Sequence, residues 1–380
     1  MPSDLSTAVP VEPIAADAAA VDEQRRFPRA AIDELGRGGL LGLGLPGSNG
    51  GAGSNPLEFV NVVEQIAGAC ASTGMVYVMH IVGAQTLLAG IDGEDGPGPK
   101  QEALEAMAAG RHLTTLAYSE RGSRSHFWAQ VSHAREDGDA IFVDADKTWA
   151  TSAGEADSYV LATGAPGTDD PLSTELYLVA SDAPAVTIPR HFDGLGMRGN
   201  ASAPLQVRDL RLERERRLGG ERSGFGLMMT ATLPWFALGS AACSVGIAGA
   251  ALDAVVEHAK GARLGHEGST LADVPGVRAR LAHSRIRLRE SRALLHEVAG
   301  EVARGEATAQ EGVLAVKASA AEMAVEVTDL AMRVGGGVAY SKHGPLERHL
   351  RDARAASVMA PTTELLHDFL GKALTGQDLF

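Results

Sequence analysis

Apolar positions recur at helical spacing near both ends of the chain and at shorter, alternating spacing in its middle. Pro56–Ala71 places Phe59, Val62, Val63 and Ile66 on one helix face. Ala19–Leu41 carries a helical pattern that runs into the glycine-rich loop Gly42–Gly53. Gly74–Leu88 and Gln101–Ala109 predict two more helices, with Gly93–Pro99 as a breaker between them. From Thr114 to Leu218 the period changes. Ile141, Val143 and Ala145 alternate after an Asp137–Gly138 turn. Tyr159–Ala162, Leu176–Val179, Val186–Pro189 and Leu205–Leu212 are short apolar runs between Gly, Pro and Asp breakers, which predicts a small barrel or sandwich. In the last region Val313, Val316, Met323, Val327, Leu330 and Val334 mark one helix face. Helices near Met228–Ala259, Leu271–Arg304, Ala309–Val334 and Thr362–Leu374 would form a four-helix bundle. The expected class is α+β: a helical N-terminal domain over residues 1–112, a β domain over 113–220 and a helical bundle over 221–380.

Composition narrows this picture. The 380 residues are rich in Ala and Gly, whose small side chains let helices approach closely. A net charge of -14 disfavours nucleic acid and anionic membranes as partners. No charged residue lies between Arg222 and Asp253, a stretch long enough to span a bilayer. Its Gly, Ser, Thr and Pro content fits a buried bundle helix better, so no membrane span is expected. Cys70 and Cys243 sit in apolar helical contexts and suggest neither a disulfide framework nor a metal site. No basic segment followed by an apolar core marks the N-terminus, and a cytoplasmic location is expected.

Three local motifs invite a chemical reading and fail it. Gly42, Gly44 and Gly47, and likewise Gly194, Gly196 and Gly199, have dinucleotide-loop spacing, but neither set joins a strand to a helix. Gly122-Ser123-Arg124-Ser125-His126 lacks the last glycine of a nucleophile elbow. The twelve histidines form no ligand pair on one helix face, so no metal is expected.

A longer correspondence does carry information. It runs through Phe27-Pro28-Arg29, Leu40-Leu41-Gly42, Pro46 and Gly50-Gly51-Ala52-Gly53, then Ala117–His126, Asp146–Asp157 and Leu195–Gly199. It ends in Val334–Gly337 and Leu346–Arg354. In this order the segments resemble the acyl-CoA dehydrogenase family over nearly the whole chain. The resemblance implies FAD as cofactor and roles at matching positions. Ser119 would hydrogen-bond the flavin ring, with Leu116 and Tyr118 flanking it through backbone groups. Trp149 would stack beside the ring and Thr151 would reach its edge. Ser125 would meet the pyrophosphate or the thioester ligand, and Thr362 would contact FAD. Arg263, Gly335 and Gly336 would face the FAD of a neighbouring subunit, which implies a homotetramer.

The resemblance breaks at the base. The family's Glu-Gly-Thr pattern, whose glutamate takes the proton alpha to the thioester carbonyl, here reads Ala360-Pro361-Thr362. The earlier bundle position used by some members falls near Phe236. Glu364, one turn on, is the nearest substitute, although a first-turn carboxylate also suits the helix dipole. Two chemistries follow. One is FAD-dependent oxidation of the CH–CH group of an acyl-CoA or acyl-carrier-protein thioester, with electrons passing to an electron-transfer flavoprotein. The other is a flavin monooxygenase on the same scaffold, fed reduced flavin by a separate reductase and needing no glutamate.

Overall fold

The computed structural model describes residues 8–53, 55–91, 98–138, 140–191 and 193–380. The breaker Gly93–Pro99 lies outside these residues up to position 97.

The first helices are α1 (Val11–Gln24) and α2 (Arg29–Arg37), followed by a 3-10 turn at Leu40–Gly42. The single helical pattern expected over Ala19–Leu41 is therefore broken. Arg25 turns left-handed, and Pro28 supplies no amide to continue the ladder. Next come α3 (Pro56–Ala69), α4 (Ala71–Ala89) and α5 (Pro99–Ala108). The Asn55 side chain caps α3 by accepting from the Glu58 amide, with Pro56 at its first turn.

The middle of the chain holds β1 (Thr114–Ala117), β2 (Ala134–Asp137), β3 (Ala140–Ala150), β4 (Ser158–Gly164), β5 (Thr174–Ala180), β6 (Val186–Thr187) and β7 (Ala203–Glu213). They form two sheets, ordered β1-β4-β5 and β2-β3-β7-β6. Isolated bridges Glu120–Lys147 and His133–Gly164 join the sheets at two corners, which brings them toward a barrel. Strand β4 is buried along its whole length, whereas β3 alternates over part of its course, as a half-solvated strand does.

The last part begins with α6 (Gly224–Leu227) and a π turn at Met228–Thr232, then α7 (Leu233–Gly261). The π turn ends next to Pro234, which cannot donate to the preceding turn. A short hairpin, β8 (Arg263–Leu264) and β9 (Ser269–Thr270), leads to α8 (Pro275–Arg304) and α9 (Ala309–Ala339). The chain closes with α10 (Leu346–Ala353), α11 (Ala355–Val358) and α12 (Thr363–Leu374). Helices α7, α8 and α9 pack together, α10 and α12 close on α9, and α3 lies against α7. At that last contact a Cβ on Gly246 would collide with the Glu64 carbonyl, so the two helices meet through a missing side chain. The segment Gly224–Gly261 is long and apolar enough to cross a membrane, yet 83% of its most apolar window is buried inside the protein.

Candidate active-site cleft

A cavity of about 650 Å³ opens between the middle β domain and the C-terminal helices. One wall comes from β1 and the loop after it, through Leu116, Tyr118, Ser119 and Ser125. The end of β3 adds Trp149 and the following turn adds Thr151. The opposite wall is helical, with Thr232, Leu233 and Phe236 from the start of the long bundle helix and Ala360 and Thr362 from the segment before α12. Seven residues singled out for the cofactor, Leu116, Tyr118, Ser119, Ser125, Trp149, Thr151 and Thr362, thus line one cleft. Trp149 is 56% exposed, unusual for an indole and suited to covering a planar ring.

Four singled-out residues lie elsewhere. Arg263 is exposed on β8, and Glu364 is exposed on the first turn of α12. Gly335 is buried, and Gly336 is exposed at a kink of α9 with φ 56° and ψ -139°. None of the four lines the cavity.

The loop under Ser119 is fixed by a buried ion pair. Lys147 Nζ lies 2.8 Å from Glu120 Oε1, with both side chains at most 3% exposed. Lys147 also donates to Gln130 Oε1 at 2.9 Å and to the carbonyls of Ala162 and Tyr118. Glu120 accepts in addition from the Val131 and Ser132 amides and the Ser132 hydroxyl. Burial raises the Glu120 pKa, but Lys147 and these donors outweigh it and hold the carboxyl below its ordinary range. These bonds tie the root of the loop carrying Ser119 and Ser125 to β3 and β4.

The loop over Gly194–Ser202 is held from the helical side. The Met197 amide donates to Asp352 Oδ1 at 2.6 Å, and Arg351 donates to the Leu195 carbonyl at 3.0 Å. Burial pushes the Asp352 carboxyl up to about 6.

The cavity wall also contains Thr232, Arg124 and Arg198, which sequence reasoning did not assign. Tyr118 Oη and Thr232 Oγ1 are 3.2 Å apart, and Thr232 Oγ1 is 2.8 Å from Thr86 Oγ1. Burial pushes the Tyr118 phenol up, so it serves as a hydrogen-bonding group and not as a base. Arg124, at φ 49°, and Arg198 are further lining residues. Among the described residues that line the cavity, Arg124, Arg198 and Tyr118 are ionisable and none is a carboxylate. No local signal placed Thr232 there, since it reads as one more residue of an apolar helix.

A cleft with hydroxyl groups on its wall and an exposed indole lies between a β domain and a helical bundle, in a chain of α-β-α order. Family models for the N-terminal, middle and C-terminal domains of acyl-CoA dehydrogenases match residues 9–111, 115–210 and 222–375. The short-chain specific acyl-CoA dehydrogenase of Bos taurus mitochondria is 31% identical over 92% of this chain and 83% of its own length. Among solved structures, butyryl-CoA dehydrogenase from Megasphaera elsdenii superposes with a TM-score of 0.91 at 24% identity, covering 98% of this chain and 97% of that one. The prolyl acyl carrier protein oxidase AnaB superposes with a TM-score of 0.87 at 20% identity, covering 96% of this chain and 97% of that one. The chain belongs to the acyl-CoA dehydrogenase family. It is a flavoprotein oxidoreductase, and FAD is its cofactor.

Proposed function

We propose that the protein oxidises the CH–CH group of an acyl thioester bound beside FAD in this cleft. The observation that carries the reading is the convergence of Ser119, Trp149, Thr151, Ser125 and Thr362, from three separate stretches of sequence, on one cavity. When bound, FAD supplies a two-electron acceptor for hydride. Ser119 and Thr151 would offer hydroxyls to the ring edge and favour its reduced, more negative form. Trp149 covers the ring and excludes water. Ser125 and Thr362 hold the pyrophosphate or the thioester arm. Arg263, Gly335 and Gly336, which lie outside the cavity, contact the FAD of a neighbouring chain in a homotetramer. The acyl group arrives on CoA or on a carrier protein, an electron-transfer flavoprotein takes the electrons, and the protein works in the cytoplasm.

Position 360 holds a methyl where the family's Glu-Gly-Thr pattern holds its carboxylate, so this cleft removes the alpha proton slowly. General-base catalysis contributes about a hundred- to ten-thousand-fold. Glu364, exposed on α12, is the nearest carboxylate in sequence and acts only by reaching in from outside the lining.

The absence of a carboxylate among the described lining residues favours a second reading, a monooxygenase receiving reduced flavin from a separate reductase. Anaerobic mixing of the FAD-loaded protein with straight-chain and branched acyl thioesters separates the two. Bleaching of the oxidised flavin supports thioester oxidation. No bleaching with any thioester, together with oxygen-dependent product from supplied reduced flavin, supports the monooxygenase.

A further inference from the structure

We propose that Lys317 is a positioning residue: its buried ammonium holds the segment from Ala355 to Thr362 in the shape that borders the FAD cavity. This goes beyond the proposed reaction and does not depend on which substrate is oxidised.

The segment has little regular structure of its own. Helix α11 is a single turn, α12 begins at Thr363, and Met359, Ala360, Pro361 and Thr362 connect them. Carbonyls at such helix ends have no partner within a helix. Lys317 supplies one from below. It projects from α9, it is 1% exposed, and its Nζ donates to the carbonyls of Ala356 at 3.0 Å, Met359 at 3.1 Å and Pro361 at 2.8 Å. Three acceptors match the three N–H donors of an ammonium, and a neutral amine has only two.

Among the described residues Lys317 forms no ion pair, so a surface-type role for its charge is absent. Its other charge-stabilising neighbour is the ring of Phe236, whose centroid lies 5.8 Å from Nζ. Phe236 itself lines the cavity, as do Met359, Ala360 and Thr362, whereas Lys317 does not. One cation therefore fixes the two helical walls relative to each other without touching the ligand space. On the far side the same segment is tied to the β domain, because the Thr362 amide donates to Ser125 Oγ. Any lengthening of the Lys317 contacts would move Ala360 and Thr362 together.

Burying a lysine with no carboxylate is costly, and burial alone pulls its pKa down to about 7. A Leu or Met would pack in its place more cheaply if packing were all that the position required. The three-carbonyl cradle is the return for that cost, and it is local to the cavity wall.

The test is hydrogen–deuterium exchange on the FAD-loaded, full-length protein, paired with FAD affinity from flavin fluorescence. Lys317→Met keeps the stem and removes the donors. Its amides at residues 357–360 and 362 are expected to exchange at least tenfold faster, with those of α7 and α8 within twofold of wild type, and FAD binding is expected to weaken at least tenfold. Lys317→Gln keeps a donor head on a shorter stem and is expected to fall between Met and wild type. It carries the test if the Met variant does not fold. Unchanged exchange in the segment, or an equal rise throughout the bundle, would overturn the proposal, the second outcome by showing a general stability role.

Discussion

The Thr362 amide donates to Ser125 Oγ at 2.8 Å, and the same hydroxyl reaches Thr362 Oγ1 at 3.2 Å. These two residues lie 237 positions apart and join the β domain to the segment before α12. The contact closes one end of the cleft. It also brings together two groups that, on the reading above, turn toward FAD. A single hydrogen bond contributes about 0.5–1.5 kcal/mol. Ser125→Ala is therefore expected to raise the FAD dissociation constant about threefold to tenfold, read from quenching of flavin fluorescence.

Trp149→Ala should weaken FAD by a comparable factor, since an aromatic contact adds about 0.5–1.5 kcal/mol beyond area burial. The thermal midpoint of the FAD-free protein should move little, because Trp149 is 56% exposed. A variant that retains FAD as tightly as wild type would remove Trp149 from the flavin site.

The Glu120–Lys147 pair gives a stability prediction. Breaking a buried pair leaves one charge uncompensated and costs about 3–5 kcal/mol. Lys147→Met alone should lower the unfolding free energy by that amount in urea titrations. Combining it with Glu120→Leu should cost less than the sum of the two single changes, because no orphaned charge remains. Additive losses would mean that the two side chains act independently.

His80 makes the protein sensitive to acid. It is fully buried, with Nε2 at 2.9 Å from the Leu41 carbonyl and Nδ1 accepting from the Thr114 amide, so it is held neutral. Burial pulls its pKa from 6.5 down to about 4. As pH falls, the unfolded chain takes the proton first. The stabilisation is complete above pH 6.5 and is lost progressively between 6.5 and about 4. The loss by pH 4.5 amounts to about 2–3 kcal/mol. His80→Gln can keep both hydrogen bonds without a titrating group. It should flatten the fall in unfolding free energy between pH 7 and 4.5, and an unchanged fall would exonerate His80.

Helix periodicity and breakers made much of this architecture legible. The faces of α3 and α9 and the strand runs of the middle region followed from spacing alone. Seven of the residues singled out through the family resemblance line the cavity, and Arg263, Gly335, Gly336 and Glu364 do not. Contacts between distant positions were not legible. Glu120 and Lys147 are 27 residues apart, and only the sheet geometry reveals that each completes the other. Lys317 reads as a charge beside the apolar positions Val313 and Val316, and its three carbonyl partners come from a different part of the chain. Thr232 became a wall residue through its place in the π turn, which periodicity cannot distinguish from α-helix.

The measurement that tests the central claim most directly is anaerobic stopped-flow reduction of bound FAD by a straight-chain acyl-CoA, comparing wild type with Ala360→Glu. Ala360 lines the cavity, and a carboxylate there restores a base to a site otherwise arranged for hydride removal. The Glu variant, if necessary with Pro361→Gly to let the new side chain turn, should bleach the flavin about a hundredfold faster than wild type or more. Fast reduction of the wild type that disappears in Glu364→Gln, or no reduction in either protein although FAD is bound, would contradict the account.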